Sequence, residues 1–171
     1  AEKQQEGFVS GSLGEAVSRE TFDGAFDVVL GNPPWTRITK DEQKPRINVP
    51  GNTIAKRVLK ARGLEELAKK YRHPGGLPDI PFLWRAAEWA RPGGIIGFAL
   101  DARFILEQSR KQGKPGPAML ARNAYFSAMS VTGILNGSDL EKTPVWGGHD
   151  QPWILLWSRN ELPNLDEDEL F

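Results

Sequence analysis

An α/β fold with a mostly parallel sheet is predicted by three features of this 171-residue chain. FDVVLG at 26–31 and IIGFAL at 95–100 are continuously apolar, with β-branched Val28, Val29, Ile95 and Ile96. That pattern marks strands covered on both faces rather than alternating, half-exposed ones. Stretches with apolar residues at helical spacing lie between and after these runs. Two more apolar runs, VTGIL at 131–135 and PWILLWS at 152–158, close the chain. A polar loop joins them, which suits an antiparallel hairpin at the end of the sheet.

Taken in order, residues 1–25 are polar and glycine-rich, with short apolar pieces at Phe8-Val9 and around Leu13. FDVVLG reads as a buried parallel strand. A basic insert spans about 36–78. Within it, Ile54, Val58, Leu59, Leu64, Leu67 and Tyr71 recur at helical spacing, and Gly63 weakens or splits that helix. LPDIPFLWRAAEWARPGG predicts a helix with Asp79 at its N-cap, Pro81 in its first turn and RPGG as its stop. A strand at 95–100, a helix at 116–129 and the closing strands follow. Trp84, Trp89, Trp153 and Trp157 fall on these elements and read as core packing. Residues 160–171 form an acidic, proline-interrupted tail, read as surface or linker.

Composition narrows the function. The formal net charge is zero, so attraction to nucleic acid must come from local patches. There are no cysteines, and His73 and His149 are isolated, so no metal site is expected. Apolar runs are too short to span a bilayer and the first residues carry no signal-like leader, so a cytoplasmic protein without membrane partners is expected. The insert 36–73 holds eleven of the 22 basic residues, among them Arg37, Lys56, Arg57 and Lys60. Either this is a solvated helix face, or it contacts DNA phosphates with a steep salt dependence.

The most informative stretch is Asn32-Pro33-Pro34-Trp35, directly after the first strand. Ligands of open α/β sheets gather at the carboxyl ends of strands. Asn32 offers an acceptor oxygen on a short side chain. Pro33 and Pro34 fix φ and hold their carbonyls in one geometry. Two convergent acceptors suit an NH₂ group, binding both hydrogens and drawing its lone pair out of conjugation. Trp35 adds a flat face for a planar ring. The tetrapeptide therefore describes a pocket that activates an exocyclic amine.

FDVVLGNPPW resembles the catalytic motif of S-adenosylmethionine-dependent amino-methyltransferases, an Asn or Asp, two prolines and an aromatic after an apolar strand. With Arg37 close behind, the long insert, and DIPFLWRAAEWARPGGIIGFAL, the chain is similar to adenine-N6 DNA methyltransferases of restriction-modification systems from about residue 8 to 159. The resemblance implies a Rossmann-like methyltransferase fold, present in part, in a catalytic domain over 1–159. It implies that Asn32 and the Pro33 carbonyl bind the target amine, with Pro34 holding the turn and Trp35 stacking on a flipped adenine. Gly11-Ser12-Leu13 would lie beside the cofactor, where Ser12 replaces a common aspartate. Asp79 is open to two roles, helix cap or cofactor contact. Trp146 is open to two as well, a hydrophobic plug or a second stacking platform.

The family's cofactor glycine motif would lie upstream of the catalytic strand, and no strand followed by a G-x-G turn occurs here. The expectation is a C-terminal portion of a catalytic domain, inactive alone. Its partners would be DNA and the N-terminal part of the same parent, with a target-recognition domain or nuclease also possible in that parent. A second copy could pair through an open edge at Val28-Val29-Leu30. Two rivals stand beside this reading. One is a methyltransferase acting on protein glutamine or an RNA guanine amine; the other is a non-catalytic, methyltransferase-like interaction domain.

Overall fold

The computed structural model describes residues 8–10, 16–35, 48–75, 77–107, 110–111, 114–137 and 152–164. A short antiparallel pair, β1 (Phe8–Ser10) and β2 (Ala16–Ser18), leads through a 3-10 turn at Arg19–Phe22 into β3 (Phe26–Gly31). Three helices follow: α1 (Val49–Ala61), α2 (Glu65–Lys70) and α3 (Ile80–Trp89). Next come β4 (Ala90–Asp101), the short α4 (Arg103–Leu106) and a small pair, β5 (Arg110–Lys111) with β6 (Lys114–Pro115). The described elements end with α5 (Pro117–Ala128), β7 (Ser130–Asn136) and β8 (Trp153–Arg159).

The main sheet has the order β3-β4-β8-β7. β3 pairs parallel with β4, and β8 enters antiparallel between β4 and β7. The closing hairpin is therefore real, but its second strand inserts into the sheet instead of ending it. The architecture is mixed α/β, consistent with part of the methyltransferase-like fold that the motif resemblance implies. Of the three pairings in the described sheet only β3–β4 is parallel, so the sheet is mixed and not mostly parallel as predicted.

Local chemistry explains the boundaries. Gly63 adopts φ 72°, a conformation costly for any residue with a Cβ, and it splits the predicted long helix into α1 and α2. Pro81 sits in the first turn of α3, where its missing N–H costs nothing. The stop RPGG lies inside β4 rather than in a loop. From Phe26–Val28 on β3 to Ala90–Ile95 on β4 the register slips, so the extra residues bulge out. Gly93 has φ 72°, and a Cβ on Gly94 would stand 2.9 Å from the Arg91 carbonyl. Two glycines are what that bulge requires.

Among the described residues, one face of the sheet is packed and the other is bare. Ile96, Phe98, Leu100, Ile154 and Leu156 pack beneath α1, α3 and α5 in one core with Leu59, Leu83 and Trp84. At its centre Trp84 meets Tyr71 and Tyr125 edge to face at 5.7 and 5.3 Å, and donates Nε1–H to the Tyr71 hydroxyl at 3.0 Å. Val28, Leu30, Ile95, Trp157 and Leu135 share the opposite face by register and are exposed.

Two expectations change here. β3 is parallel as predicted, but it is an edge strand with Leu30 70% exposed, not a buried one. Its apolar pattern asks for cover on both sides, and the described residues supply it on one. Trp157 is likewise not core: it lies on the bare face, 36% exposed, while Trp84 and Trp153 are buried and Trp89 is half-buried against Phe22. Among the described residues no helix is long and apolar enough to cross a membrane.

Candidate active site

β3 and β4 run side by side until Gly31 pairs with Phe98. There Asn32-Pro33-Pro34-Trp35 leaves the sheet, while β4 continues to Asp101. A Cβ on Gly31 would fall 2.6 Å from the Phe98 ring, so the strand can end this close to β4 only with glycine. Asn32 and Pro34 are exposed, Pro33 is buried and Trp35 is half-buried. Asn32 stands at the rim of an open cavity of about 450 Å³ lined by Leu30, Gly31, Gly97, Phe98, Ala99, Leu155 and Trp157. Gly97 forms its floor. A Cβ there would meet Leu30 at 2.7 Å and Trp157 at 3.2 Å.

Trp35 does not swing free. Its indole N–H donates to the Ala99 carbonyl at 3.2 Å. Asp79 lies on the same strand end: Oδ2 accepts the Asp101 N–H at 2.9 Å. Asp79 occupies the N-cap position of α3 but in helical conformation, with no capping hydrogen bond, so the predicted cap is corrected. The carboxylate serves the sheet instead. It is completely buried, and Oδ1 has no hydrogen-bond partner. Burial, aided by the charge of Asp101 and opposed by the Asp101 N–H and Arg103, pushes it up to about 6. No surface of Asp79 is left open to a cofactor in this arrangement.

Asp101 and Arg103 were not singled out by sequence. Asp101 is buried and accepts from the Arg103 N–H and Nε–H and from Nη2, at 2.9, 3.0 and 2.6 Å. This ion pair raises the Arg103 guanidinium further. The available signal was DAR directly after an apolar strand, at the edge where ligands gather.

The basic candidates lie elsewhere. Gly51 near the start of α1 abuts Pro81 at the start of α3, and Arg57 pairs with Glu88 near the end of α3. The two helices therefore run the same way, and the last turn of α1 lies at the amino end of the sheet. From Ala90, beside Glu88, to Phe98, β4 rises on the order of 20 Å. Arg57 and Lys60 thus face away from Asn32, with Lys60 exposed, Lys56 and Arg57 half-buried, and Arg57 held by Glu88. Gly11, Ser12, Leu13, Arg37 and Trp146 lie outside the described residues. Among the described residues no group of three or more His, Asp or Glu side chains could hold a metal.

A second buried polar point lies at the start of α1. His73 is buried, neither ring nitrogen has a hydrogen-bond partner of standard geometry, and its backbone N–H donates to Asn52 Oδ1 at 3.1 Å. Burial, partly offset by the Leu77 backbone, pushes the imidazole down to about 4. The folded state thus refuses a proton that the unfolded chain takes below 6.5, and His73-linked stability is lost as pH falls from there towards 4. Asp79 acts oppositely: its contribution is full below 3.8 and is lost as pH rises through about 6. Each amounts to about 3 kcal/mol, so they nearly offset one another across this window. Asp79→Asn is therefore expected to make the protein more acid-labile between pH 6.5 and 4 than the wild type. Urea midpoints at several pH values test this; parallel wild-type and variant curves would refute it.

A parallel strand of an α/β sheet thus ends in an exposed Asn, two prolines and an anchored aromatic, beside an open cavity. A family model for the Eco57I restriction-modification methylase matches residues 2–124, and the chain belongs to that family. Comparison with curated proteins and with solved structures gives no match.

Proposed function

We propose that the chain carries the amine-binding half of an adenine-N6 DNA methyltransferase. The observation that carries this reading is the placement of Asn32-Pro33-Pro34-Trp35 at the carboxyl end of β3, with Asn32 on a cavity rim and the Trp35 ring tethered to β4. The Asn32 side-chain oxygen and the Pro33 carbonyl accept the two amine hydrogens, and the nitrogen lone pair leaves conjugation. Trp35 stacks on the base, which has to leave the duplex to arrive there. When bound, S-adenosylmethionine supplies an electrophilic methyl group. Held by Asn32 and the Pro33 carbonyl, the amine nitrogen would present its lone pair to that methyl group, and the proton it gives up would pass to solvent. Positioning and polarisation by this chain supply the acceleration, with no covalent enzyme intermediate.

The cofactor half fits only in part. The cavity beside Asn32 has room for a bound group, but Asp79 is sealed from it, and Gly11-Ser12-Leu13 would make a modest contact. We assign the main cofactor contacts to the N-terminal part of a parent polypeptide that covers the bare face and pairs with β3. The continuously apolar β3 has the pattern of a strand covered on both faces, which supports that assignment. A second copy pairing through Phe26, Val28 and Leu30 is the competing occupant.

DNA contact by the insert is a separate part of the reading. Because Arg57 is already paired with Glu88, Lys56 and Lys60 are the phosphate contacts we assign to α1, on duplex that extends past the amino end of the sheet and not on the nucleotides beside Asn32. Replacing both by Ala in the full-length enzyme is expected to make the slope of log affinity against log salt shallower by about 2. A filter-binding salt titration decides it. An unchanged slope would leave α1 as a solvated face.

A further inference from the structure

Past Gly31, β4 has lost its neighbour but not its hydrogen-bonding groups. Backbone groups along a strand alternate between its two edges, so the Ala99 carbonyl and the Asp101 N–H, two residues apart, address the same side. Both are taken by side chains. The Trp35 indole donates to Ala99, and Asp79 Oδ2 accepts from Asp101. Together they replace the missing rungs of the β3–β4 ladder. On the other edge, β8 pairs along β4 as far as Asp101 with Trp153, so only the β3 side depends on this arrangement.

Resting on the reading of Trp35 as the base-stacking ring, we propose that Asp79 is a positioning residue for methyl transfer: by holding the Asp101 N–H it fixes the end of β4, and so the Ala99 carbonyl that carries Trp35. Asp79 touches neither base nor cofactor. Its buried position at the head of α3 anchors the strand end to the helix layer below the sheet. The Asp101–Arg103 pair keeps the first residues beyond the strand in place, leaving Asp79 as the tie on the β3 side. Acceptor capacity, rather than charge, is what this role requires. An asparagine keeps it through its amide oxygen, and a leucine of similar volume does not.

The test compares Asp79→Asn, Asp79→Leu and Trp35→Phe in the full-length methylase, with two readouts. The first is the indole Nε1–H resonance of Trp35, assigned by its loss in Trp35→Phe. The second is the separate kcat and KM of methyl transfer to DNA. Asp79→Leu is expected to shift that resonance, speed its exchange with solvent and lower kcat roughly tenfold or more, with KM little changed. Asp79→Asn is expected to keep the resonance and remain within roughly threefold of wild-type kcat. Trp35→Phe, which keeps a ring but loses the tether, is expected to reproduce the kcat loss. If Asp79→Leu does not fold, Asp79→Asn and Trp35→Phe still decide: a kcat loss in Asp79→Asn with the indole resonance unmoved, or full kcat in Trp35→Phe, overturns the proposal. Retention of full transfer by Trp35→Ala would instead sink the stacking role itself.

Discussion

Asn32→Ala is expected to lower the kcat of methyl transfer by on the order of 100- to 1,000-fold, the range seen when one preorganised partner of a reacting group is removed. The side chain is exposed and lines the cavity, so folding should be unaffected. On the proposed mechanism its loss removes one of two acceptors for the amine, and the remaining Pro33 carbonyl can hold only one hydrogen. The lone pair then stays conjugated with the ring. Cofactor binding should survive, because the main cofactor contacts are assigned to the N-terminal part of the parent polypeptide. Radiolabelled methyl incorporation in the full-length enzyme, set beside calorimetric cofactor binding, makes the measurement. Near-normal transfer would exclude Asn32 from the chemistry, and with it the proposed mechanism.

The largest effect on stability is expected from Trp84→Ala, which should cost about 3–5 kcal/mol. Trp84 is completely buried, and its ring touches Tyr71 and Tyr125. Both hydroxyls are hydrogen-bonded, in two separate pairs, within an apolar core. Trp84 donates to Tyr71, while Tyr125 shares a 2.7 Å hydrogen bond with Ser158 on β8. Burial pushes both phenols up, so they stay neutral and the core carries no charge there. Removing the indole opens a cavity between α2, α3 and α5 and orphans the Tyr71 hydroxyl at once. A cost of this size is comparable with the whole stability of many domains. Denaturant unfolding followed by far-ultraviolet circular dichroism would show it, and a loss below about 1 kcal/mol would mean the site collapses around the gap.

Which parts of this were legible in the sequence follows from how far each signal reaches. Apolar runs and helical spacing are local, so β3, α5 and the two closing strands stand within a residue or two of where FDVVLG, GPAMLARNAYFSAM, VTGIL and PWILLWS place them. Gly63 split its helix as its backbone freedom suggests. What failed was tertiary. Asp79 carries every local mark of an N-cap, yet a strand end 22 positions away competes for its carboxylate and wins. Trp157 looks like core by composition, and its exposure depends on which face of the sheet is covered. Arg57, read from sequence as a phosphate ligand, also pairs with Glu88, 31 residues on, which the sequence does not reveal. At the candidate site the tetrapeptide was readable because its four residues are contiguous. The tether to Ala99 was not, because a backbone carbonyl leaves no trace in sequence.

Arg62 gives the insert a mechanical character. From the last turn of α1 it reaches both the Ala128 carbonyl at the end of α5 and the Asn160 side chain just past β8, and Asn160 in turn grips the Ala90 carbonyl where β4 begins. One guanidinium thus ties the insert to its neighbour α5 and to the foot of the sheet, while Gly51 and Pro81 abut at its head. A helix pinned at both ends behaves as a strut. Load applied along α1 would pass into the sheet as a whole instead of being absorbed at a hinge.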